Sequence, residues 1–202
     1  MHEAPLSGIV VCLPDALVDD LVGVVEVLVQ EGFRHFTVPV GAEALEVLAP
    51  IFGARARIGA SSVRSADDVR RAAGLGAGFV LADLIDADLV GAANDAGLAN
   101  YAPAMTPTEA RAALNLSVTG VTLEPADVVG HAMAGHLRRV GLIDRVVPLG
   151  GLGAYAAGEW FKAGAPAVCV DSTLLGDAPR GGDLGKLRDR CGSFRNVIPK
   201  DA

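Results

Sequence analysis

Lysine is scarce in this chain. Lys162, Lys186 and Lys200 are the only three in 202 residues, and the net charge is −7. Neutralising a phosphate backbone takes clustered Lys and Arg, so nucleic acid is excluded as a partner. A single phosphate held by backbone amides is not excluded. Aromatic residues are also few, at 4%, whereas apolar residues make up 51%. The core must then be built of Val, Leu, Ala and Ile, which suits a parallel sheet buried on both faces. The three cysteines, Cys12, Cys169 and Cys191, have neither metal-ligand nor disulfide spacing. Reduced thiols and a cytoplasmic location are expected. Met1-His2-Glu3 does not open a basic-then-apolar leader, so no signal peptide is expected. No run is long and apolar enough to suggest a membrane span.

What is abundant is an alternation of short apolar runs with amphipathic segments. Residues 146–175 show the unit. Val146 and Val147 lead to a Gly150-Gly151 turn, a helical segment covers 154–163, and Gly164 stops it. A second apolar run over 167–170 then breaks at Asp171-Ser172-Thr173. This is a strand–turn–helix–strand unit, with glycine at the left-handed cap that other residues adopt only with strain. Strands are expected over 8–13, 34–40, 57–60, 78–82, 98–102 and 118–123, with helices over 17–30, 42–49, 65–73, 86–97 and 127–139 between them. A last helix covers 184–191. Thr106, Pro107 and Glu109 supply a cap, a first-turn proline and an acid for another helix.

At about eight strands and eight helices, the pattern predicts an α/β fold, a single (β/α)₈ TIM barrel spanning residues 1–202. A doubly wound sheet would usually carry a glycine-rich turn after its first strand, where this chain has Leu13-Pro14-Asp15. In a barrel the chemistry lies just beyond the strand ends.

Three of those strand ends carry quotable motifs. They are I-G-A-S-S-V from Ile58, L-E-P-A-D from Leu123 and P-L-G-G-L from Pro148. In order and spacing they resemble the 2-keto-3-deoxy-6-phosphogluconate (KDPG) and 4-hydroxy-2-oxoglutarate aldolases. That resemblance implies a class I aldolase barrel, usually trimeric, in which a strand-six lysine forms a Schiff base with a 2-keto acid and a strand-two glutamate moves protons. Here Thr122 stands where the resemblance would put the lysine, and Thr37 where it would put the glutamate. Gly41 falls at an arginine for the substrate carboxylate, Leu149 at a threonine, and Asp171-Ser172 at two glycines beside a phosphate. A hydroxyl cannot form an imine, and a carboxylate at Asp171 repels a phosphate.

The candidate catalytic residues are therefore Glu124, Thr122 and Thr37. Ser61, Ser62, Gly150, Gly151, Ser172 and Thr173 are the candidate substrate-binding positions. Asp83, Glu124 and Asp171 follow strands four, six and eight. Three carboxylates at one mouth can hold a divalent metal such as Mg²⁺, set a raised-pKa acid against an ionised base, or simply cap turns and face solvent. Cys12 reads as a core thiol, with a pocket thiol as the other reading. With only residues 1–7 before strand one, the barrel bottom is expected to be covered by the tail over 194–202 or left for a partner. Two functions remain open. One is a lyase acting on a small keto acid by an altered mechanism, and the other is a non-catalytic barrel that binds a keto acid, a phosphorylated metabolite or a protein.

Overall fold

The computed structural model describes residues 5–199. Eight parallel strands form one sheet: β1 (Gly8–Cys12), β2 (His35–Pro39), β3 (Arg57–Val63), β4 (Phe79–Ala82), β5 (Ala99–Ala104), β6 (Gly120–Leu123), β7 (Val146–Pro148) and β8 (Ala167–Val170). The order is β7-β6-β5-β4-β3-β2-β1-β8, and β7 and β8 lie side by side without a ladder between them. The sheet is thus a nearly closed (β/α)₈ barrel. Its β7–β8 seam is bridged by side chains, as described below.

Among the described residues ten α-helices accompany the strands: α1 (Val18–Gln30), α2 (Glu43–Phe52), α3 (Ala66–Gly74), α4 (Ala87–Asp95), α5 (Pro107–Leu114), α6 (Ala126–Val129), α7 (Ala132–Arg139), α8 (Ala154–Ala163), α9 (Ser172–Leu175) and α10 (Leu184–Arg195). Helix starts follow the expected chemistry. Ser65 Oγ accepts the Asp68 N–H at 3.1 Å, and Asp86 Oδ1 accepts the Leu89 N–H at 2.8 Å. Thr106 and Glu109 form a reciprocal capping box. The Met105 and Thr106 N–H groups that bond Glu109 hold its carboxyl below the usual range.

Strand residues alternate between two apolar layers. One set packs outward against the helices; the other, including Val10, Phe79, Leu81, Tyr101, Val147 and Cys169, fills the barrel interior.

Three expectations required correction. The segment 127–139 is not one helix: Gly130, at φ 78°, separates α6 from α7. Ser61 and Ser62 do not form a turn after β3 but lie within it, and the ladder to β4 shifts register between Ala60 and Val63. Ser62 takes φ 56°, a bulge conformation that lets the strand continue to Val63.

The barrel bottom is also closed differently. Leu6, 1% exposed, packs inside with Tyr101, and its N–H donates to Tyr101 Oη at 2.7 Å. The described part of the tail packs against the outer layer, with Ile198 beside Gly8 and Val197 against Gly158; residues 200–202 lie outside the described residues. β1 begins at Gly8, two residues after Leu6, so the N-terminal segment is the closer apolar material. Replacing Tyr101 by Phe leaves the buried Leu6 N–H unpaired. It should lower unfolding free energy by roughly 1–3 kcal/mol in a urea titration, and an unchanged midpoint would count against the plug.

Candidate active site

The C-terminal strand ends converge on one mouth, and the period-two alternation decides which side chains enter it. In β2, Phe36 and Val38 belong to the outer layer, so Thr37 faces inward. It is level with Cys12 of β1 and Gly59 of β3, and it is fully buried. In β6, Val121 and Leu123 face outward, so Thr122 and the following Glu124 share the inward row. Thr122 is 1% exposed and pairs in register with Pro103 and Val147. Glu124 sits higher, on the exposed rim. Burial, and then the charge of Asp83, raise its carboxyl above the usual range.

The Asp83 carboxylate itself is held by Arg64, whose Nε lies 2.8 Å from Oδ2. Among the described residues no group of three or more His, Cys, Asp and Glu side chains is arranged to hold a metal ion. Asp83, Glu124 and Asp171 are not gathered into one such group. Asp83 is drawn outward by a salt bridge, and Asp171 is spent on the β7–β8 seam.

That seam gathers the remaining positions. Gly150 and Gly151 take φ 104° and 66°, and a side chain on Gly151 would collide with the Asp127 carboxylate. Only glycine fits this turn. The Gly151 N–H donates to Asp171 Oδ2 at 3.2 Å. The Thr173 N–H and the Ser172 hydroxyl both approach Asp171 Oδ1 at 3.4 Å. Thr173 Oγ1 donates to the Leu152 carbonyl at 2.7 Å. The donors that an external anion would need are thus directed at Asp171. Ser61 is half-buried opposite Pro39, and its carbonyl accepts the Val40 N–H.

Cys12 and Cys169 proved more central than their apolar surroundings suggested. Cys12 is half-buried and Cys169 is 1% exposed. The two thiols meet inside the barrel. Cys169, on the same inward row, is the largest influence on the Cys12 thiol and holds it below the ordinary range against burial. The buried Thr37 hydroxyl, without a hydrogen-bond partner among the described residues, acts on the same thiol in the same direction. Asp171 and Glu124 push the Cys12 thiol up, which places both carboxylates within electrostatic reach of it. Cys169 is driven well up by the same pairing and by burial. Cys12 spacing alone carries no such signal; only the β1–β8 pairing does.

Lys162 lies outside on α8, its Nζ 2.6 Å from Glu159 Oε1, and Lys186 is exposed on α10. Lys200 is outside the described residues. No helix among the described residues is long and apolar enough to cross a membrane.

A parallel barrel with its titratable and nucleophilic side chains gathered at the C-terminal mouth is built as enzyme barrels are. Residues 2–187 match the family model of the KDPG and KHG aldolases, and the chain belongs to that family. It is similar to a probable 2-dehydro-3-deoxy-6-phosphogalactonate aldolase of Rhizobium meliloti (strain 1021), 25% identical over 167 residues that cover 80% of this chain and 79% of that protein. A native KDPGal structure superposes with a TM-score of 0.86 at 20% identity, covering 98% of this chain and 97% of the other. A KDPG aldolase from Legionella pneumophila, solved with pyruvate captured as a covalent carbinolamine, gives a TM-score of 0.76 at 17% identity, with 96% and 95% covered.

Proposed function

We propose that this protein is an aldehyde-lyase acting on a small 2-keto acid or sugar acid without a lysine imine. Family membership supports the reaction class. The observation that carries the altered mechanism is Thr122, whose hydroxyl occupies the buried inward row of β6 directly below Glu124. The described lysines, Lys162 and Lys186, stand on outer helices. Glu124, with its raised pKa, is the proton-moving group. The hydroxyls of Thr122 and Thr37 face the space in which a keto oxygen would be polarised. Borohydride reduction in the presence of pyruvate is expected to leave the intact mass unchanged. An adduct of pyruvate mass on any lysine would sink this reading and restore imine chemistry.

The substrate is an unphosphorylated acid, because Asp171 fills the turn after β8 with a fixed negative charge. Asp171→Asn should raise kcat/KM for a phosphorylated 2-keto sugar acid relative to its unphosphorylated counterpart by about tenfold or more, as expected on removing a like charge from a binding site. An unchanged ratio in paired assays would show that Asp171 does not select against phosphate.

The same Thr122 supports a second reading, a barrel that binds its keto acid without turning it over. Calorimetric binding of pyruvate with no retro-aldol cleavage across a panel of 4-hydroxy-2-keto acids would favour it. The reading includes one domain over the whole chain, assembled as a homotrimer in the cytoplasm. Sedimentation velocity on the purified protein tests the assembly.

A further inference from the structure

An open recess of about 470 Å³ adjoins the mouth beyond the ends of β4, β5 and β6, lined by Ile85, Pro103, Ala104, Met105, Glu109 and Glu124. It is continuous with the candidate active site. Pro103 pairs in register with Thr122, and the Glu124 N–H donates to the Ala104 carbonyl at 3.0 Å. The walls are apolar, yet Ile85 is 40% and Met105 is 45% exposed. Apolar side chains left uncovered in a recess beside a reactive group mark a place for a ligand. The charged groups of the lining are both carboxylates, and no Lys, Arg or His lines it among the described residues. Glu109 is already engaged, since its Oε2 accepts the Met105 and Thr106 N–H groups, each at 2.8 Å. Glu124 is the polar group that remains for an occupant.

We propose that this recess receives the aldehyde-derived half of the substrate, and that this half ends in an uncharged apolar group, aryl or branched alkyl, on carbon 4 of a 4-hydroxy-2-keto acid. The inference rests on the lyase function proposed above and narrows its substrate. Glu124 takes the proton of the C4 hydroxyl, so the other substituent of C4 lies next to that contact, in the recess that Glu124 itself lines. In cleavage the O–H electron pair becomes the carbonyl π bond of the aldehyde, and the C3–C4 pair moves to C3. C3 then takes the proton back from Glu124. The products are the shorter keto acid and the aldehyde, with no atom gained or lost. A phosphate or carboxylate at the far end of the substituent would meet Glu109 and Glu124 with no cation to offset them. An aryl or branched alkyl group instead covers Ile85 and Met105 and removes apolar surface from water. Asp171, beyond β8 and across the mouth, likewise disfavours an anionic end.

The test measures retro-aldol cleavage by the full-length protein of 4-hydroxy-2-keto acids that differ only at C4. The substituents are methyl, isobutyl, phenyl and the uncharged polar 1,2-dihydroxyethyl group. The isobutyl and phenyl compounds should exceed the dihydroxyethyl compound in kcat/KM by about tenfold or more, in line with the discrimination an apolar pocket gives per added carbon. Ile85→Asn and Met105→Asn should each reduce that ratio by about threefold or more, the share of roughly one buried methylene. Ile51→Asn, which alters an exposed apolar residue of α2 outside the recess, should keep it. The wild-type ratio stands by itself if a variant fails to fold. Cleavage with equal or reversed preference overturns the recess assignment and leaves the lyase function standing. No cleavage of any member of the series overturns the two together. Asn variants that keep the ratio but lower the association state in sedimentation velocity assign the recess to a contact between copies of the chain, which overturns its substrate role.

Discussion

On the proposed lyase function, Glu124→Gln is expected to lower kcat/KM for retro-aldol cleavage of a 4-hydroxy-2-keto acid by about 10²- to 10⁴-fold, the range contributed by one positioned acid–base side chain. Glu124 continues the inward row of β6 above Thr122, yet its carboxyl is on the exposed rim, where a substrate and a proton can both reach it. Among the described residues its side chain makes no capping or salt-bridge contact that a structural role would require. Its elevated pKa has two causes, burial first and the neighbouring Asp83 charge second. A general base works in its ionised form, so the rate should rise as pH passes upward through that elevated pKa. The acidic limb of the pH–rate profile therefore lies above the ordinary glutamate position. Asp83→Asn removes the repulsion but leaves the burial, so the limb should move to lower pH without reaching the unperturbed value. Wild-type rates in Glu124→Gln, or an unmoved limb in Asp83→Asn, would remove Glu124 from the chemistry.

Phe79→Ala should destabilise the fold by roughly 3–5 kcal/mol, the usual cost of emptying a buried aromatic site. That is a large share of the roughly 5–15 kcal/mol that holds a domain folded. The ring fills the barrel interior at 0% exposure, with the Arg57 guanidinium 5.3 Å from its centroid. It also explains Gly59, because a methyl group there would lie 2.6 Å from the ring. Gly59→Ala alone should cost roughly 1–3 kcal/mol through overpacking. With Phe79 already reduced to Ala, the same change should cost much less, since the obstructing ring is gone. Urea unfolding of the four proteins measures this coupling. Additive effects would show that the two positions do not share the interior space.

The alternation of strands and helices was legible because it depends on local rules. Apolar runs end at glycine or an acid, and Ser65, Asp86 and Thr106 cap helices through side chains one turn away. Thr37 and Thr122 were singled out by the resemblance to the aldolase motifs and Glu124 by its place at a strand end; the period of two along β2 and β6 then explains why Thr37 faces inward and why Thr122 and Glu124 share one row. Errors arose where the chain departs from regular geometry. The positive φ of Gly130 divides a pattern that reads as one continuous helix, and the bulge at Ser62 prolongs a strand past an apparent turn. Leu6 gave no sign of its role, because its partner Tyr101 lies on the opposite side of the barrel sequence.

The residues by themselves determined the parallel (β/α)₈ architecture and the presence of Thr122 rather than an amine on β6. These follow from hydrophobic periodicity and side-chain chemistry, which act over a few residues. Only the tertiary structure decided which groups meet. The pairing of the first strand with the last brings Cys169 level with Val10, one step below Cys12 on the same inward row, and the β7–β8 seam turns Asp171 onto the Gly151 amide. Both contacts join segments remote along the chain, and no local rule constrains them; closure of the barrel does.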